Sequence, residues 1–215
     1  MLDICLLGTG GMMPMPSRFL TAMLARLNGR LALIDCGEGT QVTMKMLGWG
    51  FKAIDVICFT HFHADHISGL PGLLLTIGNA GRTEPLTLIG PVGLQRIVEG
   101  LTLIAPELPF PIEYIELTQD APNPIRVGAF EIHHCPADHM VKCFAYRIDL
   151  KRKGKFDVKK AEQLKLPKPL WNKLQKEGSV DHEGKTYTAD MVMGENRKGI
   201  SVAYCTDSRP VDRIT

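Results

Sequence analysis

The sequence predicts a layered α/β protein. Over the first 150 residues, short apolar runs with a strand-like pattern alternate with helix-like runs. Such interleaving favours sheets covered by helices, with a mostly antiparallel sheet at the start. With 215 residues and 45% apolar content, the chain can bury a sizeable core in one domain or slightly more.

Eight segments of this region have the apolar patterns typical of strands. They are Leu2–Leu7, Thr21–Leu27, Leu31–Asp35, Ile54–Thr60, Leu86–Ile89, Ile112–Leu117, Phe130–Cys135 and Cys143–Ile148. The helix-like segments are Thr40–Leu47, Gly69–Ile77 and Gly93–Ile104. Asn28-Gly29 between two apolar runs indicates a β-hairpin. A strand pattern returns at Gly199–Thr206.

The composition changes after residue 150. Lys151–Glu177 carries ten Lys or Arg and three Asp or Glu, a local net charge of +7 in a chain whose total is +2. We therefore predict an N-terminal part (1–150), a basic arm inserted in the same domain (151–177) and the start of a C-terminal part (178–215). Clustered basic residues bind phosphate backbones, although a solvated charged helix is the alternative. The candidate RNA-binding residues are Lys151, Arg152, Lys153, Lys155, Lys159 and Lys160.

The six cysteines lie mostly in apolar runs, and no C-x-x-C pair occurs. Reduced, buried cysteines are typical of cytosolic proteins. The N-terminus lacks the pattern of a signal peptide, and no apolar run reaches the length of a membrane span. We therefore expect a cytoplasmic protein without a membrane partner.

A dense group of metal-binding side chains follows the strand-like run at 54–59. It comprises His61, His63, Asp65 and His66 within Thr60-His61-Phe62-His63-Ala64-Asp65-His66. Imidazoles and carboxylates are ligands of zinc sites that keep an open position for water. Residues two apart on an extended loop point the same way, so His61 and His63 can share one ion while Asp65 and His66 turn toward a second. The alternatives are a solvated His-rich loop or a helix N-cap at Asp65.

His139 lies in a loop between two strand-like segments, from which it can reach the same rim and complete a three-histidine set. A surface or core histidine is the alternative for this position. His133 and His134 compete for the role, but both lie within a strand, where one must point inward and the other outward.

Two aspartates lie where strand-like runs end. Asp207 follows the last run, where its carboxylate can bridge two cations or form a turn before Arg209-Pro210. Asp35 either orients a ligating histidine from behind or caps the following helix. Two adjacent cations polarise an ester and ionise a water at neutral pH, so the sequence predicts a metal-dependent hydrolase.

These motifs together resemble a known superfamily. H-x-H-x-D-H after a strand, a later loop histidine and an aspartate ending a further strand are similar to the metallo-β-lactamase fold. The chain more narrowly resembles the ribonuclease Z (tRNase Z) family. That likeness covers nearly the whole chain and includes the runs Gly8-Thr9-Gly10, Asp35-Cys36-Gly37-Glu38-Gly39-Thr40-Gln41, Gly69-Leu70-Pro71-Gly72-Leu73-Leu74, Phe156-Asp157-Val158 and Asp207-Ser208-Arg209-Pro210.

The resemblance implies a four-layer αββα sandwich, incomplete at its C-terminus, with the site at one edge of its two sheets. It implies a two-zinc endoribonuclease that removes the 3′ trailer from precursor tRNA, with manganese or iron as alternative metals. His61, His63 and His139 would bind one ion, Asp65 and His66 the other, and Asp207 would bridge them. Asp65 would act as the general base, the basic arm would grip tRNA, and the protein would form a homodimer.

Two further functions remain open at this stage. Another hydrolase of the same fold would act on small phosphodiesters or sulfate esters. Alternatively, the chain binds metal or RNA without turnover, because the family's C-terminal part supplies a final metal-binding His and a Glu-paired His. We accordingly expect the reading frame to extend past Thr215, or a partner chain to supply the missing layer.

Overall fold

A computed structural model describes residues 1–13, 15–105, 107–152 and 154–212. The chain forms two compact units. Unit 1 comprises Met1–Asp149 and the chain from Ser201 onward, and unit 2 comprises Leu150–Ile200. None of the helices within the described ranges is long and apolar enough to cross a membrane.

The described strands follow the predicted order closely. They are β1 (Leu2–Gly8), β2 (Ala22–Leu27), β3 (Arg30–Ile34), β4 (Ile54–Cys58), β5 (Leu86–Pro91), β6 (Ile112–Leu117), β7 (Ile125–Val127), β8 (Phe130–Ala137), β9 (Cys143–Arg152), β10 (Ser179–His182), β11 (Lys185–Thr188) and β12 (Arg197–Tyr204). The helices are α1 (Thr40–Leu47), α2 (Ala64–Ile67), α3 (Leu70–Asn79), α4 (Leu94–Leu101), α5 (Val158–Gln163), α6 (Lys168–Glu177) and α7 (Ala189–Val192), with a 3₁₀ turn at Thr102–Ile104.

The first sheet has six strands in the order β1-β2-β3-β4-β5-β6. Its first three strands are antiparallel, and Asn28 and Gly29 form the predicted hairpin turn with φ values of 52° and 82°. Strands β3 to β6 run parallel, because helices α1, α3 and α4 carry the chain back between them. The antiparallel prediction therefore describes only half of this sheet.

Helix α3 shows how the helical layer covers this sheet. Its buried residues Leu70, Leu73, Leu74 and Ile77 recur at the spacing of one helical face. They join the large core that also contains Leu33 and Ile57 of the sheet. This burial anchors the chain on both sides of the His61–His66 segment.

The second sheet has the order β12-β9-β8-β7. Strand β9 is tied to the end of β4 by two contacts between the sheets. The Tyr146 hydroxyl donates to the Phe59 carbonyl at 2.8 Å, and the Phe144 amide donates to the Thr60 carbonyl at 3.0 Å. These bonds place the ends of β4 and β9 at a common edge.

Unit 2 has its own small core, formed by Ala161, Leu166, Leu174, Val180, Tyr187 and Val192. The boundary at residue 177 came from charge alone, whereas the compact unit extends to Ile200. The hairpin of β10 and β11 and helix α7 belong to this unit because each contributes a buried residue to its core.

Candidate metal centre

The loop after β4 carries the first group of candidate ligands. His61 is fully buried, and its Nε2 lies 3.0 Å from Nδ1 of His63. Helix α2 begins after His63 and carries Asp65 and His66, with the His66 amide donating to the His63 carbonyl. The short helix therefore turns these two side chains away from the direction of the preceding histidines.

His139 and Asp207 reach the same place from distant parts of the chain. Nε2 of His139 lies 3.3 Å from Nδ1 of His63. Oδ2 of Asp207 lies 3.6 Å from Nε2 of His61 and 3.3 Å from Nε2 of His66. One donor atom from each of His61, His63, His139 and Asp207 lies within 4.8 Å of the others.

Asp65 and His66 form the second half of the cluster. Nε2 of His66 lies 3.7 Å from Oδ2 of Asp65. Because the same Asp207 oxygen lies near both His61 and His66, this carboxylate stands between the two halves. All six predicted ligand residues thus come together at one edge of the two sheets.

The donor set fits divalent cations. Metal–nitrogen distances of about 2.0–2.1 Å place neighbouring ligand atoms of a tetrahedral site about 3.3 Å apart. Nε2 of His61 and Nε2 of His139 lie 3.0 and 3.3 Å from Nδ1 of His63. Oδ2 of Asp207 lies 3.3 and 3.6 Å from Nε2 of His66 and His61. These four separations match that spacing.

Two loops that carry candidate ligands are joined by hydrogen bonds of the backbone and of one side chain. The Asp138 amide donates to Oγ of Ser208 at 3.1 Å, and the Arg209 amide donates to the Asp138 carbonyl at 2.9 Å. The Ser208 hydroxyl donates onward to the Arg209 carbonyl. This link fixes His139, which follows Asp138, relative to Asp207, and the role of Ser208 in it was not predicted from the sequence.

Asp35 lies behind the ligands and does not cap α1, whose N-cap is Gly39 without a side-chain cap bond. It is fully buried and has a left-handed φ of 58° directly after β3. Its Oδ2 accepts a hydrogen bond from Nδ1 of His66 at 2.8 Å. Backbone conformations of this kind cost free energy and cluster at functional sites. The structure thus favours the orienting role over the capping role.

Gly37 lets the loop of Asp35 approach the loop of the ligands. A side chain at this position would collide with the carbonyl oxygen of Asp65. The adjacent Cys36 amide donates to the His66 carbonyl at 2.8 Å, and the Gly69 amide donates to the Cys36 carbonyl at 2.9 Å. Close backbone packing therefore explains glycine within the run at 35–41.

Burial and neighbouring charges set the ionisation of the cluster. Burial, reinforced by the charge of His66, lowers the pKa of His61 to about 3, so its imidazole is neutral. Burial alone would lower the pKa of His66, but the hydrogen bond and charge of Asp35 outweigh it and raise that pKa. Burial opposes ionisation of Asp207, yet the charge of His66 and the hydrogen bond from the Thr206 hydroxyl hold its pKa below the usual range.

The competing histidines lie elsewhere on β8. Nε2 of His133 lies 3.1 Å from Oδ2 of Asp149 and 3.6 Å from Oε1 of Glu131, a second group with metal-ligand spacing. Arg126 and Arg147 already pair with these two carboxylates. This group is therefore a charge-compensated ion network.

Nε2 of His134 lies 3.2 Å from the Pro122 carbonyl, and its ring contacts Phe144. Neither contact brings it to the cluster around His61.

The candidate RNA-binding residues lie in unit 2. Lys151, Lys155, Lys159 and Lys160 are exposed, and Arg152 is half-buried. Lys153 lies outside the described residues. Nζ of Lys160 donates to the Met193 carbonyl at 2.8 Å, so this ammonium group also has a structural partner. A cleft of about 560 Å³ is lined by Lys155, Phe156, Lys159, Glu195 and Arg197, among others.

Comparison with known proteins identifies the family. The family model described as Anti-Pycsar protein Apyc1 matches residues 2–98. Ribonuclease Z of Lachnospira eligens is 57% identical over 215 residues, covering 100% of this chain and 70% of that protein. Ribonuclease Z of Clostridium acetobutylicum is 53% identical over 219 residues, covering 100% and 71%. The chain belongs to the ribonuclease Z family.

One solved structure agrees with this membership, and a second shares the fold. Human tRNase Z, short form, matches with a TM-score of 0.60 and 30% identity, over 69% of this chain and 64% of that one. The chain thus spans less than two thirds of that structure. The metallo-β-lactamase fold protein YhfI from Bacillus subtilis matches with a TM-score of 0.56 and 20% identity, over 68% and 57%. The predicted family and fold are confirmed.

Proposed function

We propose that this chain is a metal-dependent endoribonuclease that removes the 3′ trailer from precursor tRNA. The observation that carries the proposal is the convergence of ligand atoms from three separated segments on one rim. The segments are the 61–66 loop, His139 and Asp207. Membership of the ribonuclease Z family supports the choice of RNA as the substrate.

The residues divide naturally between two ion positions. His61, His63 and His139 would hold one ion, Asp65 and His66 the other, and Asp207 would contact both. Two divalent ions at such a centre lower the pKa of a bound water and stabilise charge on the attacked phosphate. The zinc preference follows from the nitrogen-rich ligand set and from the family resemblance.

Asp65 is the proposed general base. Its side chain is nearly buried, and its Oδ2 lies 3.7 Å from Nε2 of His66 at the rim of the cluster. From this position the carboxylate accepts the proton of the attacking water. Asp35 holds the neighbouring ligand His66 in place by accepting a hydrogen bond from its Nδ1.

The basic arm is the proposed binding surface for the body of the tRNA. The exposed Lys151, Lys155 and Lys159 can contact phosphates without a defined base sequence, which suits a substrate read by shape. Arg152 and Lys160 contribute positive charge to the same segment. We extend the proposal to a cytoplasmic protein, as the cysteine pattern suggests, and to a homodimer, as the family resemblance implies. Light scattering of the purified chain tests the dimer.

Cleavage assays with the zinc-loaded chain test the function. We expect cuts in a precursor tRNA with a 3′ trailer and no cuts in mature tRNA. Hydrolysis of a small aryl phosphodiester, with every precursor tRNA left intact, would instead assign a small-ester hydrolase. Metal binding without turnover on either substrate would assign a binding protein.

A further inference from the structure

Thr60 is buried behind the metal centre and is in contact with three of its key side chains. Its amide donates to Oδ1 of Asp35 at 2.8 Å. Its hydroxyl oxygen lies 2.9 Å from Oδ2 of Asp35, 3.1 Å from Nδ1 of His61 and 3.4 Å from Nδ1 of His66. No ligand role was predicted for Thr60, although it begins the histidine-rich run.

Counting donors and acceptors fixes the direction of these bonds. A hydroxyl has one hydrogen to donate, and the Asp35 carboxylate already accepts from the Thr60 amide and from Nδ1 of His66. The Thr60 hydroxyl therefore donates to Asp35, and its oxygen is left to accept from Nδ1–H of His61. In that tautomer Nε2 of His61 carries the lone pair.

The unprotonated nitrogen of His61, Nε2, points into the cluster of candidate ligands. Its Nε2 lies 3.0 Å from Nδ1 of His63 and 3.6 Å from Oδ2 of Asp207. The other neighbour of Nδ1 is Sγ of Cys143 at 3.9 Å, and sulfur is a weak acceptor. Without the hydroxyl, no partner of comparable strength among the described residues would hold the Nδ1–H tautomer.

We infer that Thr60 is a positioning residue through which one buried carboxylate, Asp35, orients ligands in both halves of the metal centre. Asp35 holds His66 directly and His61 through the Thr60 hydroxyl. This inference rests on the proposed two-metal centre. It adds that Asp35 supports ligands of both ion positions.

Thr60→Val and Thr60→Ser are a matched pair of test variants. Valine keeps the branched shape and loses the hydroxyl, whereas serine keeps the hydroxyl and loses the methyl group. Both variants keep the amide that donates to Asp35. If Thr60 only fills space, metal affinity should depend on the shape of the side chain. If Thr60 positions His61, metal affinity should depend on the hydroxyl.

The first measurement is metal affinity of the whole chain, by titrating Co²⁺ or Zn²⁺ against a chelator. Loss of a hydrogen bond behind a ligand weakens metal binding roughly 10–100-fold. We expect a loss of that size for one of the two ions in Thr60→Val, and binding close to that of the unmodified chain in Thr60→Ser. Equal binding by the valine variant and the unmodified chain, or an equal loss in both variants, would overturn the inference.

The second measurement reads the tautomer and needs no variant at the threonine. Nitrogen-15 spectra of histidine-labelled, metal-free chain distinguish protonation at Nδ1 from protonation at Nε2, and His61→Gln identifies the signal. We expect Nδ1–H for His61 in the unmodified chain. Protonation at Nε2 alone would reject the inference even if the valine variant failed to fold. Because neither measurement uses RNA, failure of the proposed cleavage reaction would leave this result unaffected.

Discussion

The two units of this protein use charge in opposite ways. In unit 1 the polar groups Asp35, Thr60, His61 and His66 are buried and bonded to one another. In unit 2 the lysines at 155 and 159 are exposed on a small fold with a core of few residues. A buried polar network depends on each member, whereas a solvated basic surface acts through its summed charge. Single substitutions should therefore have large effects in unit 1 and graded effects in unit 2.

The largest effect is expected at the carboxylate shared by both halves of the centre. Asp207→Ala removes the atom near His61 and His66, so metal content should fall and RNA cleavage should drop by roughly 10³-fold. Metal counting and steady-state cleavage measure this change. Asp190→Ala, the same substitution at an exposed site in unit 2, is the control. Equal activities of these two variants would contradict the proposed centre.

Core truncation separates the two units. Leu174→Ala removes a fully buried side chain from unit 2, and Leu73→Ala does so in unit 1. Each should cost about 2–5 kcal/mol of unfolding free energy. We expect the unit 2 variant to expose residues 150–200 to protease while retaining metal, and the unit 1 variant to lose metal. A parallel loss of metal in both would mean that the units unfold together.

Basic residues of the arm should change RNA affinity gradually. Replacing Lys155 and Lys159 by Ala should reduce the slope of log affinity against log salt by about 2, if each contacts a phosphate. Hydrolysis of a small aryl phosphodiester should not change. The matched control replaces the exposed Lys45 and Lys52 of unit 1. An identical salt dependence for both pairs would remove the arm from RNA binding.

The smallest effect is expected at the start of α5. Oδ1 of Asp157 accepts from the amides of Lys159 and Lys160 at 3.0 and 3.3 Å, which makes it the helix N-cap. Asp157→Ala should lower the stability of unit 2 by about 1 kcal/mol, and Asp157→Asn should retain most of it. Chemical unfolding followed by the fluorescence of Trp171 measures this difference. A larger loss in the asparagine variant would show that the charge, and not the cap, matters.

Local patterns predicted the chemistry of the site and most elements of unit 1, but they missed the short elements β7 and α2 and all helices of unit 2 with its strands β10 and β11. Helix α1 lies where it was expected, at Thr40–Leu47, and most strands differ by a few residues at their ends. Parallel pairing of β3 to β6 was not predicted, because strand direction depends on the crossover path and not on local apolar pattern. The basic run ends at residue 177, whereas the core of unit 2 includes residues up to Val192, because local charge does not reveal which apolar side chains pack together.

Long-range contacts explain what the sequence pattern missed at the centre. The Thr60 hydroxyl bonds to Asp35, which is 25 residues away, and the Asp138 amide bonds to Ser208 across 70 residues. Neither spacing follows a helical or strand period. Both links depend on the sheets bringing their ends to a common edge.

The amino-acid sequence alone determined the candidate ligand types, because three histidines and an aspartate follow one strand within six residues. It also determined the positive charge of the arm. Only the tertiary structure decided that His139 and Asp207 reach that loop, and that Asp35 supports His66 from behind. The reason is physical: side chains far apart in sequence meet only after the buried strands pack, and their hydrogen bonds then set which imidazole nitrogen faces the centre.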